Sequence, residues 1–91
     1  MPSDSHPDPH PPIRVERVQT GVRIEKRMLK VLKALAEALD LSLGDLLEGI
    51  VLNAFENRGP FGESTLRKIE QLKEVYGMDY GIEVAHRMED A

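Results

Sequence analysis

Residues 17–24 are the most constraining stretch of this chain, because polar and β-branched residues alternate there with period two. Arg17, Gln19, Gly21 and Arg23 share one face, and Val18, Thr20, Val22 and Ile24 share the other. That pattern predicts a half-buried strand. No second segment of the 91 residues reads as a strand. A strand without a neighbour leaves its amides and carbonyls unpaired, so the economical expectation is that a second copy of the segment completes the ladder.

From Glu25 the period changes to helical. Met28, Leu32, Leu35 and Leu39, widened by Val31 and Ala36, predict an amphipathic helix over 25–39. Ser42, followed by Asp45, fits a Ser-x-x-acid cap opening a second helix. Leu46, Leu47, Ile50, Val51, Ala54 and Phe55 give that helix a wide apolar stripe, and Gly59 and Pro60 are expected to stop it with glycine in the left-handed cap. Gly49 inside the helix is tolerated either for close backbone approach at a dimer core or as a neutral concession. A weaker third helix over 65–76 rests on Leu66, Ile69, Leu72 and Tyr76, and a short fourth is expected after Asp79. Residues 1–12 hold five of the six prolines and predict a disordered tail; His6 and His10 within it make too weak a chelate for a metal site. The expected division is therefore 1–12 tail, 13–58 folded unit and 59–91 helical extension.

Charge is unevenly placed. The chain carries −4 overall, yet 14–33 hold seven bases (Arg14, Arg17, Arg23, Lys26, Arg27, Lys30, Lys33) against Glu16 and Glu25. Lys26 and Arg27 fall in the first turn of a helix, where cations oppose its dipole and a polyanion would relieve them. One basic segment on an acidic chain points to one anionic partner. Cysteine is absent, which excludes a disulfide framework and a thiolate zinc site. Nothing resembles a nucleophile–base pair or a glycine-rich phosphate loop, so no enzyme, cofactor or metal is expected. No apolar run approaches the roughly 20 residues of a membrane span, and no leader is visible, so the expected location is the cytoplasm, with the nucleoid.

Residues 18–55 resemble the ribbon-helix-helix superfamily of Arc/MetJ-type repressors. An alternating basic strand ending at Arg23-Ile24, a helix with Leu35-Ala36, a short turn and Ser42 opening a second helix carry the resemblance. It implies a mainly α fold, an intertwined homodimer with one strand and two helices per chain, extended here by C-terminal helices. It also implies a sequence-specific DNA-binding protein, a transcriptional regulator or repressor, whose two-stranded ribbon enters the major groove of double-stranded DNA. Base contacts would then fall to Gln19, Gly21 and Arg23. Gln pairs with adenine and Arg with guanine, whereas Gly21 offers no side chain. Phosphate contacts would fall to Arg17, Lys26, Arg27 and the second helix's start at Ser42, Leu43 and Gly44, beside which Asp45 is unfavourable. The dimer core would comprise Val22, Ile24, Leu46, Leu47, Ile50 and Val51. Assembly of dimers side by side on DNA is left open.

Simpler readings stand beside these. Arg17 and Arg23 also serve as charges guarding an exposed edge, and Lys30 and Lys33 read as solvated face residues. Phe55, Phe61, Tyr76 and Tyr80 read as packing residues, and His86 as a surface one. The acidic 59–91 segment offers an alternative function, a protein-interaction module or antitoxin that docks a partner protein, or else it packs back on the dimer as extra core.

Overall fold

A computed structural model describes residues 12–91. The expected disorder of the proline-rich tail and the His6/His10 pair lie outside the described residues. Among the described residues three helices, α1 (Lys26–Ala38), α2 (Leu43–Phe55) and α3 (Glu63–Tyr76), are followed by a 3-10 turn, Ile82–Val84.

Each helix starts and stops for a local reason. The Glu25 carboxylate caps α1 by accepting from the amides of Arg27 and Met28. Ser42 Oγ accepts from the amide of Asp45 at 3.0 Å, the cap expected for α2. All three helices end the same way. Beyond α1, the Leu41 amide donates to the Ala36 carbonyl at 2.8 Å and the Asp40 amide to that of Glu37 at 3.1 Å. The left-handed residue in that motif is Asp40 after α1, Asn57 after α2 and Gly77 after α3, with φ of 60°, 58° and 70°. Gly59 is thus not the cap of α2 as expected. Asn57 already takes the positive φ, because a short polar side chain tolerates the left-handed region.

The core lies where α1 meets both other helices. Leu35, Ala36 and Leu46 are its buried centre, and Leu32, Leu39, Ile50, Phe61, Ile69 and Leu72 pack around them. The stripe expected on α1 is therefore the one buried. On α3 the inward face is Thr65, Ile69, Leu72 and Lys73, while Leu66 and Tyr76 are exposed. Phe61 packs on the core as expected, but Phe55 is 81% exposed.

The expected strand does not form. Among the described residues there is no strand or sheet, and the ribbon-helix-helix architecture is corrected to three helices joined to an extended arm. Residues 13–24 make no backbone–backbone hydrogen bond with another described residue. Alternation decides which side chains share a face, but it supplies none of the inter-strand bonds that define a strand. The arm remains open, with Val18 and Val22 more than three-quarters exposed. It also stretches the molecule. The radius of gyration is 15.7 Å, against about 12 Å for a compact chain of this length.

The expected dimer core divides accordingly. Leu46 is buried in the chain's own core and Ile50 packs against it, because α3 and Phe61 cover them from within the same chain. Ile24 and Leu47 are half-buried, whereas Val22 and Val51 face solvent. Among the described residues beyond its own helical turns, nothing lies within 4 Å of a Cβ built on Gly49, so no close approach among them requires that glycine.

Candidate nucleic-acid interface

Helical spacing, not strand alternation, organises the exposed cations. Lys26, Lys30 and Lys33 recur at i, i+4 and i+7 and therefore line one face of α1, and all three are exposed. None of them is in an ion pair among the described residues. Arg23 lies three residues before Lys26, in the last part of the non-helical arm. Its guanidinium meets Asp90 at 2.9 Å, with both side chains at least three-quarters exposed. Such an exposed pair holds its partners weakly, so Arg23 is free to exchange Asp90 for another anion. Lys30 and Lys33 belong to this row, although the sequence reads them as solvated face residues with only Lys30 in reach of a DNA backbone. Their signal was present, since they sit three and four positions apart on the polar side of the α1 stripe.

The remaining expected contacts are not gathered with this row. Arg17 is held at the outer face of α2, where its Nε and Nη2 donate to the two carboxylate oxygens of Glu48 at 2.9 and 2.8 Å. The hydrogen bond and charge of Glu48 raise the pKa of Arg17, and those of Arg17 lower that of Glu48. Ser42, Leu43 and Gly44 open α2 beyond the far end of α1, some 18 Å of helix from Lys26 by rise alone. There Ser42 Oγ already serves the Asp45 amide, and the carboxylates of Asp45 and Glu48 compete with any phosphate. Gln19 and Gly21 are exposed on the arm, with nothing within 4 Å of a Cβ built on Gly21.

Arg27 is structural in this chain. Its Nε donates to Glu25, and its Nη1 donates to the Gly77 carbonyl at 2.9 Å and to Asp79 at 3.2 Å. The guanidinium also lies over the Tyr80 ring, 5.4 Å from its centroid. Arg27 therefore pins the segment after α3 to the start of α1 through its Nε and Nη1.

Glu25 completes that clasp by accepting from the Tyr80 hydroxyl as well as from α1. The Tyr80 bond, then the Arg27 amide, hold the Glu25 carboxyl at about 2, below its ordinary 4.5. Burial, then Glu25, pushes Tyr80 up from 10.0 to about 12. The two shifts act at opposite ends of the pH scale. Because the folded chain favours ionised Glu25, that stabilisation is present above pH 4.5 and is lost as pH falls toward 2. Because it favours neutral Tyr80, that contribution is present below pH 10 and is lost as pH rises toward 12. Tyr80→Phe is expected to reduce the acid-side dependence that Glu25 contributes and to remove the alkaline contribution of Tyr80, measured as melting temperature against pH. A variant that melts with the wild-type pH profile would show that the clasp does not bear on stability.

Among the described residues no three His, Asp or Glu side chains are grouped as metal ligands, and no helix is long and apolar enough to cross a membrane. Comparison of the chain with protein-family models, with curated proteins and with solved structures returned no match.

Proposed function

We propose that this protein is a sequence-specific regulator of transcription that binds double-stranded DNA, with the exposed cationic row of α1 as its phosphate-binding surface. The observation that carries the reading is the row itself. Lys26, Lys30 and Lys33 stand exposed on one helix face and, among the described residues, in no ion pair, with Arg23 exposed three residues earlier in the arm, in a chain whose net charge is −4. A helix edge of this kind tracks a phosphate backbone and sets position without reading sequence. Reading falls to the arm, where Gln19 and Arg23 are exposed side chains suited to adenine and guanine edges.

Two copies act together in this proposal. Val18 and Val22 on the arm, and Val51, Leu52 and Phe55 on α2, are large apolar residues left in solvent by the single chain. Their burial against a second copy is favoured by the hydrophobic effect and would double the cationic surface offered to one duplex. Sedimentation should show concentration-dependent self-association that Phe55→Ser weakens.

The direct test is fluorescence anisotropy with labelled duplex DNA at several salt concentrations. Three lysine–phosphate contacts per chain predict that log affinity falls linearly with log salt, with a slope of about −3 or steeper. Absence of binding at low salt would overturn the reading. A second reading, a docking site for a partner protein on the C-terminal segment, is favoured by Val75 at 72% and Ile82 at 91% exposure. It predicts that Ile82→Ser leaves DNA binding intact while abolishing capture of that partner.

A further inference from the structure

We propose that the cavity enclosed by α1, α3 and the 78–88 segment is a binding site for a medium-chain carboxylic acid, independent of any contact with DNA. The cavity holds about 360 Å³ and opens to solvent on one side. That is within the range of small-molecule sites, roughly 300–1,000 Å³, and far above the voids left in a close-packed interior. Its wall is almost wholly apolar, built from side chains such as Leu32 and Ile69. Water would find few hydrogen-bond partners there, so a hydrocarbon chain gains by replacing it. Met28, Met78 and Met88, all three methionines of the described residues, line it. Flexible thioether side chains adapt to a ligand of variable shape.

Charge identifies the head group. Among the described residues Lys73 is the one charged side chain lining the cavity, and its side chain is 23% exposed. Its carboxylate neighbours leave it available. Glu70 is a loose partner at 3.9 Å and is itself 75% exposed, while Glu83 turns back to accept from the Gly81 amide at 2.9 Å. Tyr80 also reaches the wall, but its hydroxyl donates to Glu25. An acid with its tail among the methionines and its carboxylate at the Lys73 ammonium satisfies both the apolar wall and the single cation.

Calorimetric titration of the full chain with sodium decanoate, kept below its micelle concentration, tests the site. Saturable binding of one decanoate per chain is expected, accompanied by a rise in melting temperature. Lys73→Gln should weaken decanoate by about tenfold or more while leaving the uncharged analogue decanol unchanged, since only the charge-assisted bond is lost. Ala85→Phe, which places a ring into the cavity wall, should abolish both. Equal decanoate affinity in wild type and Lys73→Gln would overturn the proposal, as would no binding to the wild type. If sedimentation shows that a second copy seals the cavity and excludes decanoate, the proposal also fails. Should Lys73→Gln not fold, Ala85→Phe decides, because binding that survives a filled cavity cannot occur there.

Discussion

Replacing Lys26, Lys30 and Lys33 together by glutamine is expected to lower affinity for duplex DNA by two to three orders of magnitude per bound chain at about 0.1 M salt. Each lysine–phosphate contact releases a condensed counterion and contributes about 0.9 to the slope of log affinity against log salt, so three contacts remove about 2.7 for each chain on the duplex. Glutamine keeps the side-chain length and is close to lysine in helix propensity, so α1 should persist. The three positions are exposed and outside the buried core, so circular dichroism and melting should stay close to wild type. Loss should fall about equally on all DNA sequences, because phosphates carry no base identity. Arg23→Ala is expected to behave differently, removing sequence preference with a smaller change in the salt slope. An unchanged slope in the triple variant would move the DNA surface elsewhere on the molecule.

Leu35→Ala should have the largest effect on stability. Leu35 is 2% exposed at the centre of the cluster with Ala36 and Leu46. Truncation removes its transfer free energy and leaves a cavity beneath two helices, at a cost of about 2–5 kcal/mol. A domain of this size has about 5–15 kcal/mol in total, and each kcal/mol moves its melting temperature by roughly 4–8 °C. A fall of about 10 °C or more, or an unfolded chain at 37 °C, is therefore expected in a thermal melt. A change below about 0.5 kcal/mol would mean that the three-helix core does not hold the chain together.

Periodicity read from residues was a good guide to the helices and a poor one to what covers them. The α1 stripe and the Ser42 cap were legible because they depend on neighbours three or four positions away. Leu46 and Ile50 were assigned to a dimer core because α2 is apolar on adjoining faces. In the folded chain α3 and Phe61, which signal weakly in sequence, cover those residues first. Arg27 shows the same gap at the candidate site. Its place after the arm suggested a phosphate contact, but Asp79 and Tyr80, more than fifty residues away, engage it instead. Nothing local to Arg27 announces that contact. The arm fails for a related reason, since a period of two specifies a face without specifying a neighbour.

The amino-acid order alone therefore determined the helical segments, the Ser42 cap, the basic character of 14–33 and the spacing that places three lysines on one edge of α1. All of these follow from interactions within a turn or two of backbone. Only the tertiary structure decided that α3 shares the core with α1 and α2, that residues 13–24 stay outside any ladder, and that Arg27 is held by Glu25, Asp79 and Tyr80. Those outcomes depend on which distant groups meet, and burial goes to whichever apolar face arrives with complementary shape.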